Sequence, residues 1–163
     1  MEKVQDLIDE QDGMKAHTHR FYLWPKLWLE YAPKYALSFN WQVYSLRLDQ
    51  VGRIPEKPGV YTLIIQPGIA LHPHCSYMAY VGMTDRTLRE RFKEYLNEKK
   101  RITGRPKLLG LLNKYDKYVY FCCAEVSDQS LIAQIEDDLI GAWVPPFNDK
   151  YPARIRKVIK GLT

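Results

Sequence analysis

Apolar residues gather in short runs through the middle of the chain. VYTLIIQ (60–66) and YMAYVG (77–82) are dense in β-branched and aromatic side chains, and both read as strands. A connection containing Gly, Pro and two His (67–76) separates them, so the pair closes as an antiparallel hairpin. The period then lengthens: Leu88, Phe92 and Leu96 repeat at the spacing of a helix face, predicting a helix from about Asp85 to Lys99. A Leu-rich helix follows over 106–115 with Pro106 at its start. A third strand covers 118–126. Asp128 is placed to cap a last helix reaching about Trp143, which PPFN (145–148) ends. The order ββααβα predicts a small α/β domain with a three-stranded mixed or antiparallel sheet flanked by helices.

The flanks differ in character. Residues 1–20 are polar, with a short helix suggested by Val4, Leu7 and Ile8. FYLWPKLWLEYAPKY (21–35) interleaves aromatics with Lys and predicts a helix that Pro25 opens and Pro33 ends. WQVYSLRL (41–48) is strand-like, and GRIPEKPG (52–59) is a turn-rich junction. The chain divides into an aromatic-rich N-terminal extension (1–53), the α/β domain (54–149) and a basic tail (150–163). No segment repeats another.

One polar residue breaks the pattern of the last helix. With Leu131 set to zero and about 100° per residue, Ile135 falls near 40°, Leu139 near 80°, Ile132 near 100°, Trp143 near 120° and Ile140 near 180°. Glu136 lies at about 140°, inside this arc, whereas Asp137 and Asp138 lie at about 240° and 340°, outside it. A carboxylate facing a core needs a cation or a metal to compensate it. On the helix after the second strand, Arg91 and Tyr95 share one edge of the apolar stripe, Arg89 takes the other, and Glu90 and Glu94 point away. A structural Arg91–Glu136 ion pair and a metal-ligating Glu136 are both consistent with this spacing.

Composition narrows the setting. The 163 residues hold 46% hydrophobic and 13% aromatic side chains, including 12 Tyr and 4 Trp, and a formal charge of +5. That charge suits a polyanionic partner without requiring one. Three cysteines form no even framework; Cys122 and Cys123 sit in an apolar strand and read as buried thiols of a reducing compartment. The polar, acidic start is unlike a secretory leader, and no run approaches the roughly 20 apolar residues of a membrane span. The expectation is a cytoplasmic protein with no membrane partner.

Gly59-Val60-Tyr61, Tyr80-Val81-Gly82, Arg91, Tyr95, Glu136 and Asn148 stand in one order on these elements. Together they resemble the GIY-YIG nuclease family, over about Pro58 to Asp149. The resemblance implies a small GIY-YIG-like domain that hydrolyses phosphodiester bonds of DNA, RNA not being excluded, with one divalent metal, Mg²⁺ or Mn²⁺. On that reading Glu136 binds the metal, Arg91 holds a phosphate oxygen, and Tyr61 is the general base with Tyr80 assisting or positioning the water, the choice between the two tyrosines being open. Tyr95 bonds a phosphate or water, and Asn148 fixes the site. Three features depart from the family: a longer gap between the tripeptides, an Arg91 one residue late, and Met83 where some members carry Lys. The alternative is a nucleic-acid-binding module on the same fold that is non-catalytic or works with a partner. Cleavage of both strands by one site per chain favours a homodimer or larger assembly, or else sequential nicking.

Other residues have weaker readings. Arg89, Arg154, Arg156 and Lys157 are candidates for phosphate contact, with a solvated basic face as the rival reading. His72, His74 and Cys75, and likewise His17 and His19, lack a second ligand pair nearby and read as loop residues rather than zinc ligands. Segment 21–35 either stacks on bases or caps the core.

Overall fold

The computed structural model of the chain describes residues 4–35, 39–68, 71–101 and 103–162. Four antiparallel strands form one sheet in the order β1-β4-β2-β3: β1 (Gln42–Ser45), β2 (Gly59–Ile65), β3 (Tyr77–Thr84) and β4 (Val119–Glu125). The predicted hairpin is present, with Tyr61 paired to Gly82 and Leu63 to Tyr80. The sheet exceeds the expected three strands because the four residues of β1, from the N-terminal extension, pair with β4.

The sheet is covered on both faces, which explains why its central strands read as continuous apolar runs. On one side Tyr61, Leu63 and Phe121 pack with Leu88 and Phe92 of α3 (Leu88–Glu98) and with Leu108 and Leu111 of α4 (Pro106–Lys114). On the other, Val60 and Ala124 pack with Ile132 and Ile135 of α5 (Ile132–Trp143). Cys122 and Cys123 are buried free thiols. Gly59 is dictated by packing, since a Cβ there would stand 2.2 Å from the Ala124 carbonyl oxygen.

Helix boundaries follow local chemistry. Thr87 and Glu90 form a reciprocal capping box, so α3 begins at Leu88. Asp128 caps a 3₁₀ turn, Gln129–Leu131, that leads into α5 rather than capping α5 itself. Near the N-terminus lie α1 (Val4–Lys15) and α2 (Pro25–Tyr35); α2 runs two residues past Pro33, where a stop was expected. The basic tail contains α6 (Ala153–Lys160).

Helix α2 covers the far side of α5. Leu27 packs with Val144 and Ile155, and the Trp28 indole donates to the Ala142 carbonyl at 2.7 Å. The 21–35 stretch thus caps the core. This packing corrects the expectation for Asp138, which is 6% exposed. Its carboxylate accepts from Tyr35 at 2.5 Å and Gln134 at 2.9 Å, with Lys34 at 3.5 Å. The wheel of α5 placed Asp138 outside the apolar arc because α2 buries that side.

At its C-terminal end α5 turns sharply. Val144 takes the left-handed conformation (φ 44°, ψ 55°), unfavourable for a β-branched residue by about 1–3 kcal/mol. The turn lays PPFN along the open edge of β3. The Phe147 N–H donates to the Ala79 carbonyl at 3.1 Å. The Asn148 amide closes two bonds of 2.9 Å on Val81, accepting from its N–H and donating to its carbonyl. This one side chain satisfies a residue's worth of edge backbone, as a fifth strand would.

Asn148→Ala is expected to destabilise the fold by about 2–4 kcal/mol, because it strands a buried N–H and a buried carbonyl at once. Urea unfolding reads this as a lower midpoint, and Asn148→Asp should recover part of the loss through the retained acceptor.

Candidate functional site

The turn after α5 leaves a cleft of about 540 Å³ between β3, α5 and the approach to α6. Tyr80, Arg105, Glu136, Asp137, Asn148 and Arg156 line it. Residues from β3, the loop before α4, α5, the α5–α6 connection and α6 therefore meet at one surface.

Glu136 is half-buried, and desolvation raises its carboxyl above the usual range. Repulsion from Asp137 adds to this, while the Met83 backbone N–H and the Arg91 charge pull it back. No ion pair joins Glu136 to a cation among the described residues. Arg91 pairs with Glu94 at 2.5 Å, which removes the structural Arg91–Glu136 pair from the alternatives. Glu94 was expected to point away; it turns back to Arg91 and also pairs with Arg86.

Behind the cleft wall lies a second polar group. Tyr61 is 1% exposed, and its hydroxyl accepts from Arg91 Nε at 2.8 Å and lies 2.9 Å from the Tyr95 hydroxyl. Arg91 Nη2 donates to Tyr95 at 3.2 Å, and its guanidinium carbon stands 4.7 Å from the Tyr95 ring centroid. Burial drives the Tyr61 phenol up to about 12, against the pull of Arg91, and holds Tyr95 well above its usual value. Gly82 makes this packing possible: a Cβ there would stand 2.5 Å from the Tyr61 hydroxyl. The tyrosine of the first tripeptide and the glycine of the second are one steric unit.

The structure thus splits the residues singled out from sequence. Tyr80, Glu136, Asn148 and Arg156 share the cleft, whereas Tyr61, Arg91 and Tyr95 form the buried group beside it. Arg89 is brought to neither: it donates to the Ile54 and Gly52 carbonyls and pairs with Glu56. Arg154 is tied to Glu30 of α2 at 3.1 Å, and Lys157 lies exposed on α6. His17 and His19 both bond the Tyr115 hydroxyl, at 3.0 and 2.7 Å. His72 and His74 are exposed.

Arg105 is the cleft residue that sequence reasoning missed. Its Nη1 donates to the Tyr80 hydroxyl at 3.1 Å. It sits in a loop, off any periodic face, and the one signal at its position is the extended backbone imposed by Pro106. Among the described residues no group of three or more His, Cys, Asp or Glu is placed to hold a metal. Glu136 fits a hard cation that takes one carboxylate and fills its shell with water and substrate oxygens. No protein-family model and no curated protein matches the chain.

Two stability measurements follow. The raised carboxyl of Glu136 means that the folded state holds its proton more tightly than the unfolded chain. Stability is therefore lost as pH rises through that window, and Glu136→Gln should be at least as stable as wild type at neutral pH. The two urea midpoints should converge below pH ~3, where both states are protonated. At high pH, unfolded tyrosines ionise near ~10, while Tyr61 keeps its proton to about 12. Stability should fall across that interval by up to ~1.4 kcal/mol per pH unit per buried phenol, less steeply in Tyr61→Phe.

Proposed function

We propose that the chain is a metal-dependent endonuclease that hydrolyses phosphodiester bonds of DNA at the cleft around Glu136, with a GIY-YIG-type domain. The observation that carries this reading is Glu136 itself, a desolvated carboxylate without a cationic partner among the described residues, in the same cleft as the Tyr80 hydroxyl. Stability alone does not favour such a group, and cation binding would compensate it.

When bound at Glu136, Mg²⁺ or Mn²⁺ supplies neutralisation of charge on the phosphate and the leaving oxygen. The rest is done by the chain's own side chains. Tyr80, in its deprotonated form, takes the proton of the attacking water. Its place at the cleft, against the burial of Tyr61, favours it as the base. Arg105 steadies the Tyr80 oxygen. Tyr61 ties β2 to α3 through Arg91 and Tyr95 and does not meet substrate. Asn148 locks Val81, next to Tyr80, and so fixes where the hydroxyl points. Arg156 and the +5 net charge draw the polyanion in.

The test is cleavage of supercoiled plasmid, single-stranded and branched DNA with Mg²⁺ or Mn²⁺. Wild type is expected to cut at least one of these. Glu136→Gln and Tyr80→Phe should each lose about 10²-fold or more while melting as folded proteins. No cutting by wild type, with salt-sensitive DNA binding retained, would assign the chain to a nucleic-acid-binding module instead.

A further inference from the structure

Arg91 and Arg105 occupy opposite sides of the same wall, and their hydrogen bonds differ in kind. Arg91 has a side chain 19% exposed and a bond on each of its three nitrogens, to Tyr61, Glu94 and Tyr95. It is not among the residues that line the cleft. Arg105 has a side chain 39% exposed and lines the cleft together with Glu136. Its Nη1 reaches Tyr80, and its guanidinium carbon stands 5.8 Å from the Tyr80 ring centroid.

We propose that Arg105, rather than Arg91, is the guanidinium that holds the substrate phosphate in this cleft, bridging the Tyr80 hydroxyl and a non-bridging oxygen; this rests on the nuclease reading above. Three features carry it. Arg105 is loosely held: its contacts with Glu98 are 3.4 and 3.5 Å, long for a charge-assisted bond, whereas Arg91 meets Glu94 at 2.5 Å. A phosphate can displace the first contact at little cost and the second only by leaving a tight pair broken. Arg105 also keeps its Nε–H free among the described residues, whereas that of Arg91 is spent on Tyr61. Finally, its bond to Tyr80 aims the fork, so an anion on the remaining donors is held beside the base and in the same cleft as Glu136. Pro106 contributes by fixing the extended backbone from which the side chain reaches (φ −72°, ψ 110°).

The test reads phosphate contact directly and needs no turnover. Protein labelled with ¹⁵N at arginine Nε is titrated, without metal, with the dinucleotide d(TpT), and Arg105→Lys and Arg91→Lys assign the two signals. The Arg105 Nε signal is expected to shift saturably and the Arg91 signal to stay in place. In parallel, oligonucleotide affinity is followed against salt in EDTA. Arg105→Met should lower the slope of log K against log salt by about one, and Arg105→Lys should keep it. Each variant is first melted to confirm its fold. A shifting Arg91 signal with a silent Arg105 overturns the proposal, and so does an unchanged salt slope in Arg105→Met. The two readings separate cleanly. Cleavage by wild type with a silent Arg105 removes only the phosphate assignment. A responding Arg105 in a protein that cuts nothing removes the nuclease and leaves the phosphate site. A protein that binds neither probe removes both.

Discussion

The pair of hydrogen bonds between the Asn148 amide and Val81 is the constraint on which the rest of the site depends. One edge of the sheet would otherwise be open, and the segment leaving α5 would have no reason to lie along it. The two bonds fix that segment, and α5 must accept a left-handed valine to deliver it. In return α5 is held across β3 with Glu136 at the cleft, and the chain is aimed into α6, which brings Arg156 to the same surface. Local strain at Val144 and edge satisfaction at Val81 are two ends of one arrangement, and the cleft is the space between them.

Charge in this protein is sorted by depth. Beneath the cleft, Arg91 is enclosed by two phenols and Glu94, with a bond on each of its three nitrogens. At the cleft, Glu136 makes no ion pair among the described residues and Arg105 is only loosely engaged. On the far side of α5, Asp138 is buried but fully served by Tyr35, Gln134 and Lys34. Two acidic residues two positions apart on one helix thus differ in circumstance. Asp138 joins helices, and Glu136 is left with a desolvation cost that the Met83 N–H and the Arg91 charge offset only in part.

Much of this was legible in the residues, and the remainder was hidden for physical reasons. The hairpin, the α3 stripe and the inward Glu136 all follow from period and residue type, which act locally. The strand Gln42–Ser45 is short and lies at the sheet edge, so its pairing with β4 depends on a partner distant in sequence. Asp138 was misplaced because the wheel of one helix contains no information about a second helix packed on its other side. Arg105 left no pattern, since a loop residue before a proline belongs to neither period. The two tyrosines were separable only in three dimensions. Both sit beside a glycine in paired strands, yet burial removes Tyr61 from solvent while Tyr80 stays at the surface.

The fit of Tyr61 against Gly82 bears on how such a chain changes over generations. The two tripeptides are coupled by volume: the phenol of one occupies the space that the missing side chain of the other leaves. Selection for folding alone would keep both, whatever became of catalysis. A descendant that lost Glu136 would still display both tripeptides intact. The tripeptides therefore report how β2 fits against β3, and they say nothing of the state of the cleft beside them.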